Sequence, residues 1–332
     1  MVNQGRFVKL IIYLVIFLVV FSVVVPAQEK ESKKEQQQPQ PQSAPTGKPV
    51  MWEPVNIAER DLFAGPGGDA MRPDLSSITF IKEEKNGHNK KFRIKDGAGK
   101  IWVAKFGREA QPETAAVRLL WAIGYKTEVN YLVPTLTIPG KGTFKNVRLE
   151  ARPEEIDRLD EWKWKDNPFI GTKEFQGLKM MMVFFNNWDI VDVQNKILQV
   201  EGANGKELHY IISDLGATFG KLGNNNFPIV YRLGRKTSNP TKYIDSGFID
   251  DVKDGKLHLA YKGKNRGLFE DITTEEARWL ADLLSQLSDK QIEDAFRAAN
   301  YSPAEIKTLV LGVKSRISDL NQATKPQQQA GM

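Results

Sequence analysis

The stretch IWVAKFGREAQPETAAVRLLWAIG, residues 101–124, changes its hydrophobic period in the middle. Ile101 to Lys105 reads as a strand, because alternate residues point to opposite faces, and Ile101, Val103 and Lys105 share one of them. From Pro112 the period becomes helical. Pro112 suits a first helical position, Glu113 sits in the positive first turn, Ala116, Val117, Leu120 and Ile123 recur at helical spacing, and Gly124 suits a C-terminal cap. A strand ending in lysine thus runs into a helix that opens with a glutamate.

Upstream, Ile78 to Phe106 alternates like strands. Phe92-Arg93-Ile94 and Ile101-Trp102-Val103 flank Asp96-Gly97-Ala98-Gly99, a hairpin turn signal. Downstream, Phe175, Leu178, Met181, Met182 and Phe185 form one apolar stripe, predicting a core helix from about Thr172 to Asn186. A hairpin follows: Ile197 to Glu201, a turn at Gly202-Ala203-Asn204-Gly205, then Leu208 to Ile212. Residues 216–270 carry only short apolar runs and resist assignment. Three capping signals then announce helices: Thr273 with Glu276, Ser288 with Gln291, and Ser302-Pro303-Ala304-Glu305. Strands first and helices later indicate an α+β body of two lobes. The expected small sheet-rich lobe with its lead-in spans 51–135, and the larger helical lobe spans 136–322.

The flanks are of another kind. Arg6 and Lys9 precede an apolar run of 16 residues, Leu10 to Val25, and Val25-Pro26-Ala27 places small residues at the cleavage-determining positions. That order is a secretory signal over residues 1–27, or a retained anchor through residues 10–25, although the run falls short of the ~20 residues a spanning helix needs. The expectation is export, to the periplasm or cell envelope. Residues 28–50 and 323–332 are polar and rich in Gln and Pro, as in disordered linkers. There is no cysteine, which removes disulfides, thiol nucleophiles and Cys-ligated zinc. The net charge of +6 is mild and its cations are spread among acids, so nucleic acid is not an expected partner. His88, His209 and His258 stand apart without metal or triad neighbours, and no G-x-S-x-G, H-E-x-x-H or Walker A motif occurs.

What remains is charge in apolar surroundings. Lys105 on a strand and Glu113 on a helix are costly on such faces unless paired; a surface-edge lysine and a glutamate serving the helix dipole are the alternative. A second set comprises Asp189, Asp192 and Asn195, within Asn187-Trp188-Asp189-Ile190-Val191-Asp192-Val193-Gln194-Asn195, and Asp214, within Ser213-Asp214-Leu215-Gly216. The hairpin between them returns the chain to its start, so these groups are expected to converge as a hard-oxygen site suited to Mg²⁺. Local turn-stabilising roles are the alternative for each. A lysine and glutamate gripping phosphates, an aspartate orienting a hydroxyl, and a downstream Asn and Asp holding Mg²⁺ follow one another here in the order used by protein kinases.

The segments VAKFGREAQPETAAVRLLWAIGY, NPFIGTKEFQGLKMMMVFFNNWD, YIISDLGATFG and LSDKQIEDAFRAANYSP resemble a group of exported bacterial proteins. The core of that group is similar to atypical kinases of the HipA-type, phosphoinositide-kinase-like and secretory-pathway classes. The resemblance covers roughly residues 75–320 and implies a two-lobed protein-kinase-like fold. It makes Lys105 the phosphate-contacting lysine, with Val103 beside it against the nucleotide, and Glu113 its helix partner. Asp189 becomes the catalytic aspartate, Asn195 and Asp214 metal ligands, and Asp192 or Gln194 a further contributor. The implied cofactors are ATP and Mg²⁺, or Mn²⁺, with γ-phosphoryl transfer to an unknown hydroxyl acceptor. The rival expectation is a catalytically inactive binding module at the cell envelope, touching membrane only through the N-terminal segment. Three features depart from the family pattern. No G-x-G-x-x-G precedes Lys105, only the lone Gly87; Asp189 and Asn195 are spaced one residue wider; and Asn187-Trp188-Asp189 replaces His-Arg-Asp.

Overall fold

Alternation in β3 (Lys91–Lys95) and β4 (Ile101–Lys105) buries Phe92, Ile94, Trp102 and Ala104 completely on one face of a sheet. The register pairs Phe92 with Ala104 and Ile94 with Trp102, so the apolar side chains meet directly across the strands. The computed structural model describes residues 46–85, 90–223 and 234–325. Within them, β2 (Thr79–Glu84), β3, β4, β5 (Asn130–Ile138) and β6 (Gly142–Ala151) form a five-stranded antiparallel sheet in the order β2-β3-β4-β6-β5. Asp96 locks the β3–β4 turn: its carboxylate accepts hydrogen bonds from the Lys100 amide at 2.8 Å and the Trp102 indole at 2.9 Å. Tyr131, Val133, Val147 and Leu149 complete this lobe's own core.

Helix α1 (Ala110–Ala122) crosses between β4 and β5. It starts two residues before Pro112, so the proline occupies the first turn, where an amide hydrogen has no helical partner anyway. Ala115, Ala116, Val117, Leu119 and Leu120 bury it in a second, larger core shared with the helices. The Gln111 side-chain amide ties its start to the carbonyls of Ala299 and Asn300, at 3.1 and 2.9 Å.

That second core belongs to the C-terminal lobe. Its helices are α2 (Lys173–Phe184), α3 (Pro240–Ile244), α4 (Thr274–Leu284), α5 (Asp289–Ala298) and α6 (Pro303–Ala323). Thr273, Ser288 and Ser302 each form a full capping box with Glu276, Gln291 and Glu305. Thr172 caps α2, whose residues from Phe175 to Phe184 are all buried. A small ribbon of β10 (Ile249–Lys253) and β11 (Lys256–Leu259) occupies part of the segment that resisted assignment. A second sheet joins β1 (Lys48–Val50), β7 (Asp157–Arg158), β8 (Asn195–Gly202) and β9 (Gly205–Ile212) in the order β1-β9-β8-β7. The molecule is therefore α+β, sheet-rich first and helical later.

Two boundaries differ from expectation. The sheet-rich part runs to Ala151 and not to residue 135, because β6 inserts between β4 and β5. The expected linker 28–50 ends in a strand, since Lys48–Val50 pairs in parallel with Glu207–His209. The expected signal or anchor, the first part of the linker, Gly87 and residues 326–332 lie outside the described residues. Among the described residues no helix is long and apolar enough to cross a membrane.

Candidate active site

Period two puts Val103 and Lys105 on the sheet face opposite the aromatic core, and the β4–β6 register sets Glu150 across from Val103 and Arg148 across from Lys105. Both Lys105 and Glu113 are 1% exposed, and Lys105 Nζ donates to Glu113 Oε2 at 3.0 Å. The same ammonium reaches Asp214 Oδ2 at 2.9 Å and Glu109 Oε2 at 3.3 Å. A buried lysine without such partners would neutralise. Here burial opposes the charge, Glu113 and Asp214 outweigh it, and the Lys105 pKa lies above its ordinary value.

Behind this pair stands a ladder of buried ions. Arg148 Nη1 lies 2.9 Å from Glu113 Oε1, and its Nη2 lies 2.6 Å from Glu150 Oε2. Glu150 also pairs with Arg152, and Arg158 grips Glu128 through two bonds of 3.0 and 2.7 Å. Ser213, the neighbour of Asp214, donates to Glu128 at 3.1 Å and accepts from Arg158 at 3.2 Å. The network thus runs from α1 through β6 to the residue before Asp214. Burial pushes the Glu113 carboxyl up to about 7, with Arg148 and Lys105 pulling the other way. Burial works against Glu150 as well, but Arg152 and Arg148 prevail and hold it well below the usual carboxylate range.

The β8–β9 hairpin performs the return that its sequence predicts. Asn195 pairs with Ile212, and the amides of Ser213 and Asp214 donate to the Gln194 carbonyl at 2.7 and 3.3 Å. Asp214 Oδ1 accepts from the Gly216 amide at 3.0 Å, curling the Asp-Leu-Gly turn, and Leu215 anchors it in the core. Burial penalises the Asp214 charge, yet Lys105 keeps its pKa below the ordinary carboxylate value. Gly216 is needed at this turn: a Cβ there would sit 2.6 Å from Glu109 Cβ, where the start of α1 passes.

Asp189 lies on the loop that leaves α2. Its amide donates to Asn187 Oδ1 at 2.9 Å, and the Trp188 amide donates to the Ala217 carbonyl at 3.3 Å, which ties this loop to the Asp214 turn. The Gln194 side-chain amide donates to Asp189 Oδ2 at 3.0 Å, and Lys264 pairs with Asp189 Oδ1.

The expected convergence of three carboxylates and an amide is only partly met. Lys105, Glu113, Asp214 and the Gln194 backbone come together. Asp192 turns away and caps the Trp164 amide at 3.0 Å, and among the described residues no three acidic or histidine side chains are grouped to hold an ion. Asn195 spends its amide hydrogens on the Trp162 carbonyl at 2.9 Å, while its buried Oδ1 has no hydrogen-bond partner. One carboxylate and one buried amide oxygen without a hydrogen-bond partner do not make a protein cage. They do fit Mg²⁺, which takes one or two protein ligands and fills its shell with substrate phosphates and water.

Arg148, Glu109 and Lys264 are absent from the sequence reading. Arg148 and Glu150 alternate with buried Val147 and Leu149, which marks a polar strand face but names no partner. His209 and His258 pair locally with Glu207 and Asp251.

No family model matches the chain, and no curated protein matches it. Solved kinase structures do. The proinflammatory kinase CtkA of Helicobacter pylori is 12% identical, with 76% of this chain and 96% of that one covered, at a TM-score of 0.46. The Rio2 kinase of Chaetomium thermophilum, solved with ADP, Mg²⁺ and phosphoaspartate, is 10% identical over 75% of this chain and 74% of its own, at 0.32. A golgi casein kinase is 9% identical over 78% and 74%, at 0.37. These are similarities of fold alone, and the chemistry of the site stands on the side chains described above.

Proposed function

We propose that this chain is an atypical kinase-like phosphotransferase that moves the γ-phosphoryl group of ATP to a hydroxyl acceptor. The observation that carries the reading is the buried Lys105, held by Glu113 from α1 and by Asp214 from the turn after β9, at 3.0 and 2.9 Å. A lysine on the third strand of the sheet, braced by a helix glutamate, is positioned to grip nucleotide phosphates. Val103, on the same strand face, borders the nucleotide. Asp214, with Asn195, would hold Mg²⁺, which would supply positive charge to neutralise that of the phosphates.

The residues of the chain do the rest. Lys105 binds the phosphates, Glu113 and Arg148 keep its ammonium in place, and Asp189 orients the acceptor hydroxyl. The new bond joins the acceptor oxygen to phosphorus, the bond to the ADP oxygen breaks, and the acceptor proton passes to the Asp189 carboxylate. Rate enhancement comes from positioning and charge neutralisation. The apolar run from Leu10 to Val25 extends the proposal to an exported protein acting at the periplasm or cell envelope.

A second reading, an inactive kinase-like binding module, is favoured by the closure of the ions on themselves: Lys105 already has three carboxylate partners and Asp189 a lysine. Nucleotide binding separates the two. Purified protein should be stabilised against heat by ATP with Mg²⁺ or Mn²⁺, and Lys105→Ala and Asp214→Ala should lose that stabilisation. No nucleotide-dependent shift in the wild-type protein would end the enzymatic reading.

A further inference from the structure

Lys264 reaches Asp189 across 75 residues of sequence, from a loop with no part in the lysine–glutamate grip. Three features build that loop. Tyr261 is buried and packs on Phe269, with ring centroids 4.6 Å apart. Gly263 passes so close beneath the Tyr261 hydroxyl that any Cβ there would overlap it. Asn265 adopts a left-handed backbone with φ of 56°, and its side-chain amide donates to the Ile190 carbonyl at 2.8 Å, one residue from Asp189. An ordinary surface ion pair needs no such scaffold. The side chains of Lys264 and Asp189 keep 30% and 21% of their exposure, so an incoming group can reach them.

The charge pattern points to the nature of that group. No acidic residue occurs from Gly255 to Phe269, where Lys256, Lys262, Lys264 and Arg266 lie, and none occurs from Leu215 to Ile244. Arg235, in that second stretch, stacks over the Trp188 ring at 4.8 Å, beside Asp189. Asp189 therefore has two cations close by, Lys264 in contact and Arg235 over the neighbouring Trp188, a field that favours an anion over a neutral ligand.

We propose that Lys264 is a catalytic residue whose ammonium binds the oxygens of the transferring γ-phosphoryl group. This inference rests on the proposed phosphotransfer. With nucleotide present, the ammonium bridges the Asp189 carboxylate and the phosphoryl oxygens and stays on them as phosphorus passes from the ADP oxygen to the acceptor oxygen. Lys264 neither gains nor loses a proton, because the acceptor proton goes to Asp189. A contact made only to the third phosphate distinguishes triphosphate from diphosphate.

The test is calorimetric binding of Mg²⁺-ADP and of a Mg²⁺-bound non-hydrolysable ATP analogue to the wild-type chain, Lys264→Met and Lys264→Arg, with thermal melting as the fold control. The wild type should prefer the triphosphate analogue by about tenfold, the scale of one charge-assisted contact. Lys264→Met should bring that ratio close to one with ADP affinity held within about twofold, and Lys264→Arg should restore part of it. A ratio unchanged in Lys264→Met overturns the inference and leaves the proposed function standing. A higher triphosphate affinity in Lys264→Met overturns it too, because Lys264 would then be a mask on Asp189. Failure of the wild type to bind either nucleotide overturns both.

Discussion

The Lys105 ammonium lies 2.9 Å from the Asp214 carboxylate although 109 residues separate them in the chain. A strand end in the sheet-rich lobe and a turn in the helical lobe are thereby closed onto one ion pair, buried at Lys105 and partly exposed at Asp214. Breaking such a pair from one side leaves an uncompensated charge, which costs more than the pair itself contributes.

Lys105→Met should accordingly destabilise the protein by about 3–5 kcal/mol, by an amount that depends on pH. Without the ammonium, Glu113 and Asp214 lose a cation, and their folded-state pKa values rise. An acid raised in the folded state contributes stability below its unfolded value, and that stability is lost as pH climbs through the folded one. For Glu113 that window opens at about 4.5 and extends beyond the value of about 7 reached with Lys105 present. Urea unfolding at pH 5 and pH 8 should show the gap between variant and wild type widening at the higher pH. A constant gap would contradict the argument.

Arg148→Met tests the ladder behind the pair. It leaves Glu113 and Glu150 facing each other with one cation fewer, and a loss of about 3–5 kcal/mol is expected. Adding Glu150→Gln removes one of the stranded charges and should recover part of that loss. Additive effects in a double-mutant cycle would mean that the two residues do not interact.

Asp214→Asn keeps the shape of the turn and its bond from the Gly216 amide but removes the charge facing Lys105. Nucleotide affinity in the wild type should rise with added Mg²⁺, and in this variant that dependence should be lost. A titration with and without the cation reads it directly. An unchanged dependence would remove Asp214 from the metal-holding role.

Gly216→Ala probes the close approach of α1 to the Asp-Leu-Gly turn. The new methyl would meet Glu109 Cβ at 2.6 Å, whereas a Cβ at Gly267 meets nothing within 4 Å. Overpacking of this kind costs about 1–3 kcal/mol, so Gly216→Ala should lower the melting temperature while Gly267→Ala leaves it nearly unchanged. Equal effects at the two positions would refute the packing argument.

Much of this was legible without coordinates. The change from period two to helical spacing at residues 101–124 announces β4 and α1 and singles out Lys105 and Glu113 as charges on apolar faces. The turn at residues 202–205 announces that the chain returns from Asp214 toward Gln194. The capping boxes at Thr273, Ser288 and Ser302 mark three helix starts, because a cap is a local arrangement within four residues. Asp192 and Asn195 show where local pattern fails. Both are polar residues beside a turn, and only their neighbours Trp164 and Trp162 decide what their side chains do.

The sequence by itself determined which face of each strand and helix is apolar and which charges interrupt it, since periodicity is a property of the backbone geometry. Only the tertiary structure decided the partners. Arg148 meets Glu113 because β6 inserts beside β4 in one register, and Lys264 meets Asp189 because a loop 75 residues away is clamped to Ile190. A buried charge states that it needs a counter-ion; the choice of counter-ion belongs to long-range packing, which no local pattern encodes.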